Sequence, residues 1–173
     1  NAKLTARALA LGGDSTPELA RIGWQKTQDE FQAGTMSGPF LSLAQVAQFC
    51  GTTENNILVH PRFVIQQEHG DVQSTRTIDD LKASLLNETV SLLEQYKPET
   101  VDDLAAWHSA LRELFPDEAF LGWGTDFKSA YRQSPLRPDE ANISIIAIWH
   151  PDLKQVVFGI LHAQPFGSRV APN

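Results

Sequence analysis

Two β-rich runs near the end of the sequence constrain the fold more than any other feature. Residues 143–149 and 155–161 are dominated by isoleucine, valine and aromatic side chains, which favour extended strands. The five residues between the runs include Pro151 and Asp152, which are typical of turns. This pattern predicts a β-hairpin, so the chain is expected to fold around a sheet.

Capping signals predict three helices. The first is expected to begin at Pro17 and end before Gly34, and a short second one lies between Ser42 and Gly51. Asp103, three residues after a threonine, indicates a capping box at the start of a third helix. That helix is predicted to bury one apolar face, which consists of Leu104, Trp107, Leu111 and Leu114.

Further strands are predicted at 58–59 and 63–65, which Pro61 separates, and at 72–78 after a turn at 70–71. Residues 120–126 are also predicted to form a strand. Because hairpin turns join neighbouring strands, the predicted fold class is α+β, with antiparallel strands and packed helices.

The charge distribution limits the classes of function. The net charge is −7, and residues 61–120 contain twelve acidic but only five basic side chains. Phosphate contacts need lysine and arginine, so indiscriminate nucleic-acid binding is not expected.

The single cysteine, Cys50, follows a phenylalanine and is interpreted as a buried, inert thiol. The five histidines lack the spacing of a metal site. No apolar stretch reaches the ~18–20 residues of a membrane span, so no membrane-spanning segment is expected. The sequence does not give the compartment, and the expectation is an intracellular protein that is soluble or peripheral to a complex.

One motif follows the apolar residues 120–124. It places Asp126 at the end of the predicted strand and Tyr131 five residues later. The motif reads Thr125-Asp126-Phe127-Lys128-Ser129-Ala130-Tyr131-Arg132-Gln133. About thirty residues later comes a Pro-Phe-Gly turn within 165–172. In this order the two motifs resemble the first two palm motifs of reverse transcriptases, the retroelement polymerases that copy RNA into DNA.

Upstream segments extend the resemblance to most of the chain, roughly residues 20–173. Residues 76–87 resemble the fingers motif of the same polymerases, and 24–31 with 38–40 resemble the segment that precedes it. The resemblance implies a fold of fingers plus partial palm. It assigns residues 1–119 to N-terminal helices and a fingers-like region, and residues 120–173 to a partial palm-like region.

The resemblance also implies site residues. Asp126 would be the catalytic carboxylate and a ligand of Mg²⁺, while Tyr131 would block a ribose 2′-hydroxyl. Arg76 would reach the incoming triphosphate, and Phe166 and Gly167 would line the nucleotide site. Without the resemblance, a strand-end aspartate such as Asp126 is more often a turn or cap residue.

Arg76 has an alternative interpretation as well. The residues alone favour an ordinary salt bridge from Arg76 to Asp79 or Asp80. The motif resemblance is what favours a contact with substrate.

The third palm motif of the family, an aromatic-x-Asp-Asp hairpin, has no counterpart in these 173 residues. Two-metal nucleotidyl transfer needs more than one carboxylate, so the chain is expected to be inactive alone. The first hypothesis is a fragment of an RNA-directed DNA polymerase, with template–primer and dNTP as partners and Mg²⁺ as cofactor only when completed. The alternative is a retroelement-derived, non-catalytic structural or interaction subunit, whose partners are protein subunits of a larger assembly. An enzyme of another class ranks third, because no serine has a nucleophile context with a histidine.

Overall fold

The structure, a computed structural model, describes residues 16–70, 72–89, 99–122, 124 and 130–165. Its helices are α1 (Pro17–Gln32), α2 (Leu43–Cys50), α3 (Leu86–Thr89) and α4 (Val101–Leu114). Its strands are β1 (Met36–Phe40), β2 (Val59–His69), β3 (Val72–Asp79), β4 (Ile145–His150) and β5 (Gln155–Leu161). Short 3-10 helices cover Glu54–Asn56, Ala130–Gln133 and Pro138–Ile143.

The structure confirms the first two helices that the capping signals predict. The Thr16 hydroxyl accepts a hydrogen bond from the Leu19 amide, and Pro17 occupies the first helical position. Ser42 caps α2 in the same way, and Gly51 ends that helix at φ 63°. Glycine adopts this left-handed conformation without the steric cost that a Cβ atom imposes.

The sheet has the order β1-β5-β4-β2-β3. The α+β class is confirmed, as is the β4–β5 hairpin, but the sheet is mixed because β2 runs parallel to β4. A long connection, residues 80–144, separates β3 from β4 and lets the chain re-enter the sheet in the direction of β2. The expectation of purely antiparallel strands was therefore wrong for this one pair.

Strand β2 is continuous through Pro61, contrary to the predicted split. Residues Val59 to Pro61 pair with β4, and pairing with β3 begins at Arg62. Pro61 thus lies where β2 changes its partner, so its missing N–H interrupts the interior of neither ladder.

Both faces of the β4–β5 hairpin are covered by a helix. Ile145 and Ala147 pack with Val46 of α2, whereas Ile148 packs with Trp24 of α1. Because successive strand residues point to opposite faces, α1 and α2 lie on opposite sides of the sheet. This three-layer arrangement explains why the run 145–148 is apolar at every position rather than at alternate ones.

The chain divides into two compact units. Of the described residues, 16–70, 72–89 and 130–165 belong to the first unit, and 99–122 with 124 belong to the second. The predicted division between residues 119 and 120 is a functional one and stays a prediction.

The second unit contains α4, which begins with the predicted capping box between Thr100 and Asp103. Its predicted apolar face is present, but Leu104, Trp107, Leu111 and Leu114 are 40–72% exposed, so their predicted burial was wrong. The strand predicted at 120–126 does not form at 120–122 or 124, and its other residues lie outside the described part. Within the described ranges, no helix combines the length and apolar character that crossing a bilayer requires.

Candidate functional site: a buried cluster of two arginines and two carboxylates

Four charged side chains meet between α1 and the β2–β3 hairpin. They are Glu30, Arg62, Asp79 and Arg132, here called the four-charge cluster. The side chains of Arg62 and Asp79 are almost completely buried, and those of Glu30 and Arg132 are 20% and 11% exposed. The formal charges cancel, which is the condition under which proteins tolerate buried ions.

Arg62 and Asp79 form the centre of the cluster. They face each other on β2 and β3, and Arg62 binds both carboxylate oxygens, with Nε–Oδ1 at 2.6 Å and Nη2–Oδ2 at 3.1 Å. This two-bond geometry matches the planar fork of a guanidinium to a carboxylate. The pair therefore ties the two strands of one hairpin together.

Helix α1 contributes the second carboxylate. Glu30 Oε2 accepts a hydrogen bond from Arg62 Nη1 at 2.6 Å. Thr27, one turn earlier on the same helix, accepts a longer bond of 3.3 Å from the same nitrogen and donates its own proton to the Gly23 carbonyl. The spacing of 23, 27 and 30 places all three residues on one helix face, toward the sheet.

Arg132 closes the cluster from the short helix Ala130–Gln133. Its Nε and Nη2 donate to Glu30 Oε1 at 2.9 and 2.7 Å, and Nη2 lies 3.5 Å from Asp79 Oδ2. The remaining nitrogen, Nη1, donates to the Gln164 carbonyl at 3.0 Å. One guanidinium thus contacts three segments that are far apart in the sequence.

The cluster keeps its members ionised. Burial alone raises the pKa of Asp79, but the charge and hydrogen bonds of Arg62, with a smaller contribution from Arg132, outweigh burial and lower it. Burial opposes the charged form of Arg62 in the same way, and Asp79 and Glu30 reverse that effect and raise the pKa of Arg62. Both groups therefore remain charged across the physiological pH range.

A buried histidine lies beside the cluster. His60 contacts the Ile143 carbonyl through Nε2 at 2.7 Å and the Ser84 hydroxyl through Nδ1 at 2.6 Å. Burial lowers the pKa of His60, and the carbonyl and the charges of Asp79 and Asp80 offset this only in part. In the neutral ring, Nε2 donates its proton to the Ile143 carbonyl, and Nδ1 is an acceptor that shares the single hydroxyl proton of Ser84 with the Leu81 carbonyl, 3.0 Å from Ser84 Oγ.

The cluster joins the segments that carry the sequence motifs. Glu30 belongs to the segment 24–31, Asp79 to the fingers-like motif 76–87, and Arg132 to the motif that contains Asp126. The Gln164 carbonyl directly precedes the Pro-Phe-Gly turn. Three segments selected from the sequence alone, and the residue that precedes a fourth, therefore meet at one place in the fold.

Of the predicted site residues, Arg76 is fully described. It is exposed on β3 and pairs with Ile65, so strand alternation places it on the face opposite Asp79. Tyr131 lies in the helix Ala130–Gln133, next to Arg132, but its side chain is outside what is described. Asp126, Phe166 and Gly167 also lie outside the described residues, so the proposed nucleotide and metal roles stay predictions.

The ion pairs of Asp79 argue against the alternative interpretation in which Arg76 forms a salt bridge with Asp79. Asp79 is bound by Arg62 and Arg132, and it points to the other face of β3. Asp80 accepts a hydrogen bond from the Ala83 amide at 2.8 Å and thereby shapes the turn after β3.

The sequence contained a signal for the four-charge cluster that was not used. Arg62 lies inside an apolar strand, in register with the buried Val64, and Glu30 lies on the helix face of Gly23 and Thr27. A charge on a buried face requires an opposite charge nearby. This rule indicates that Arg62 and Glu30 have buried partners, although it does not identify them.

The cysteine and the potential metal-binding side chains do not form a second candidate site among the described residues. Cys50 is half-buried against the core, and burial raises the pKa of its thiol, which favours the inert form. Among the residues that the structure describes, no three histidine, cysteine or acidic side chains are grouped so that they could hold a metal ion. A comparison with models of known protein families found no match, and a comparison with curated protein sequences found no significant match.

Proposed function

We propose that these 173 residues form the fingers and the first part of the palm of a reverse-transcriptase-like, RNA-directed DNA polymerase. Their role is to bind the incoming nucleotide and the template–primer. DNA synthesis also requires the carboxylates of the third palm motif, which has no counterpart in the 173 residues. Mg²⁺ is the cofactor that the completed polymerase would use at Asp126.

The observation that carries the proposal is the convergence of the motif segments on the four-charge cluster. Motifs matched by chance would have no reason to meet, yet Arg132 contacts Glu30 across 102 residues of sequence and Asp79 across 53. A polymerase needs such a meeting point, because its nucleotide contacts come from separate segments that must be held in register.

A second observation concerns the surface. Arg76 is exposed on the β2–β3 hairpin, as a residue that contacts an incoming triphosphate must be. The strand pairing places Arg76 on the face of β3 opposite Asp79, which is the face opposite the four-charge cluster.

Nucleotide selectivity tests the proposal directly. We expect the 173-residue protein to bind dCTP with Mg²⁺ more tightly than CTP, measured by isothermal titration calorimetry. Tyr131→Ala should reduce this preference, since the aromatic ring no longer excludes the 2′-hydroxyl. Arg76→Gln should weaken binding of both nucleotides by about tenfold or more, the effect of losing a hydrogen bond to a charged group.

Arg112→Gln is the matched control, because Arg112 is an exposed arginine on α4 and should leave both affinities unchanged. Equal binding of dCTP and CTP by the starting protein, or no binding of either at millimolar concentration, would overturn the proposal. In a longer polypeptide that supplies the third motif, Asp126→Asn should abolish primer extension and leave the fold intact.

A further inference from the structure

Arg132 joins parts of the chain that are far apart in the sequence, whereas Arg62 and Asp79 lie on the two strands of one hairpin. Arg62 and Asp79 belong to one hairpin and bind each other through two hydrogen bonds, so they form a self-contained pair. Arg132 comes from the segment next to Tyr131, and it contacts Glu30, Asp79 and the Gln164 carbonyl. Loss of Arg132 would therefore leave the hairpin pair intact.

Backbone hydrogen bonds reinforce one of these connections. The Leu136 amide donates to the His162 carbonyl and the Gln164 amide to the Ser134 carbonyl, each at 2.9 Å. Pro135 and Ala163 form an isolated antiparallel bridge between the same two segments. The chain after Tyr131 is thus paired with the chain that leads into Phe166.

The pairing is short, and it is anchored by Leu136, which packs against the core residues Ile146 and Leu161, and by Arg132. A single bridge with two flanking hydrogen bonds can open locally, since the ordering of several residues opposes it. Arg132 is 89% removed from solvent and makes charge-assisted bonds, which are stronger than bonds between neutral groups. It is the part of this junction that is also bound to α1 and β3.

We propose that Arg132 is a positioning residue of the nucleotide site. It fixes residues 132–136, which follow Tyr131, and the paired residues 162–164, which precede the Pro-Phe-Gly turn in sequence, against Glu30 and Asp79. Arg132 does not itself touch the nucleotide, and its effect passes through the two segments that it holds. The expected effect of Arg132 on nucleotide binding rests on the proposed function. The expectation that Arg132 holds the two segments in place does not.

Hydrogen exchange of backbone amides tests the structural part. In Arg132→Gln we expect exchange at the Leu136 and Gln164 amides to rise by about tenfold or more, as expected for lost hydrogen bonds to a charged group. Exchange at the Asp80 amide, which bonds the Pro61 carbonyl beside the hairpin pair, should be unchanged. Arg132→Lys keeps a cation next to Glu30 but lacks the planar fork, so it should show the same local rise.

Arg137→Gln is the matched control, because Arg137 lies five residues later and makes an exposed ion pair with Asp139. Its exchange rates at Leu136 and Gln164 should equal those of the starting protein. A rise of similar size at the Asp80 amide in both Arg132 variants would overturn the inference, because Arg132 would then be a general support of the fold.

Titration with dCTP and Mg²⁺ tests the consequence for binding. Arg132→Gln and Arg132→Lys should both weaken dCTP binding and reduce the preference for dCTP over CTP, while Arg137→Gln should change neither. If the starting protein binds dCTP and both Arg132 variants bind it equally well, the positioning role is wrong and the proposed function stands. If the starting protein binds no nucleotide, the proposed function fails, and the exchange experiment still decides whether Arg132 holds the two segments.

Discussion

Arg132 and Glu30 are 102 positions apart in the sequence, and their side chains are joined by two hydrogen bonds of 2.9 and 2.7 Å. The second oxygen of Glu30 accepts from Arg62, so one carboxylate connects two guanidinium groups. Each charge in the cluster is therefore compensated by neighbours from another part of the chain. The removal of one charge leaves its buried partners with one opposite charge fewer, and this determines the first prediction.

Asp79→Asn should lower the free energy of unfolding by roughly 3–5 kcal/mol, the cost of breaking a buried ion pair from one side. The amide keeps the shape of the carboxylate but leaves the buried Arg62 with Glu30 as its one carboxylate partner. Urea unfolding followed by circular dichroism measures the change. Asp139→Asn, which affects an exposed pair with Arg137, should leave the midpoint unchanged. A loss below about 1 kcal/mol for Asp79→Asn would contradict the structure.

Stability should fall as the pH is lowered below about 6.5, the ordinary pKa of histidine. The pKa of His60 in the folded protein is lower than that, so between the two values the unfolded chain binds a proton that the folded chain does not. The free energy of unfolding then rises with pH through this window, by at most about 1.4 kcal/mol per pH unit.

Urea unfolding at several pH values between 4.5 and 7.5 checks whether the free energy of unfolding rises with pH, as the lowered pKa of His60 predicts. His60→Gln cannot titrate, so its stability should depend less on pH than that of the starting protein. Identical pH dependence of the two proteins would show that His60 does not contribute. Asp79 acts at lower pH, because its pKa is lowered from 3.8, and it should weaken the fold only as its carboxylate protonates below that value.

Gly23→Ala should destabilise the protein, although alanine is the better helix former by about 1 kcal/mol. A Cβ atom at Gly23 would lie 2.7 Å from Cγ2 of Val64, so α1 would have to move away from β2. Overpacking of this kind costs about 1–3 kcal/mol. The double variant Gly23→Ala with Val64→Ala removes the clash, so Gly23→Ala should cost less in that background, as measured by a double-mutant cycle in urea.

Thr100→Ala should increase hydrogen exchange in the first turn of α4 about fivefold, because it removes a helix cap. The Thr100 hydroxyl accepts from the Asp103 amide at 3.2 Å, and the Asp103 carboxylate accepts from the Thr100 amide at 2.8 Å. Ser109→Ala, in the middle of the same helix, is the control and should not increase exchange, since alanine favours helix. Equal rates at the Asp103 amide with and without Thr100 would argue against the capping box.

The elements that the sequence predicted correctly depend on neighbouring residues. Thr16 and Pro17 start α1 through contacts within four positions, and Ser42 and Gly51 bound α2 in the same way. The β4–β5 hairpin also forms from adjacent runs across a short turn. Local interactions of this kind can be recognised from spacing alone.

The predictions that were wrong depended on contacts between distant residues. Pro61 was expected to break a strand, but it lies where β2 exchanges β4 for β3 as its partner. The apolar face of α4 was expected to be buried, and Trp107 is 56% exposed. Neither spacing nor composition indicates which strand or surface an element will meet.

The candidate site shows the same division. The motif that contains Asp126 and the strand that carries Arg76 could be proposed from sequence, and Glu30 carried a recognisable signal as a charge on a buried face. The sequence by itself determined the starts and ends of helices and the hairpin, because capping and turn formation are decided within a few residues. Only the tertiary structure decided that β2 lies parallel to β4 and that Arg132 bonds Glu30 and Gln164. Those choices depend on the burial of charges and strand edges from distant segments, which no local pattern specifies.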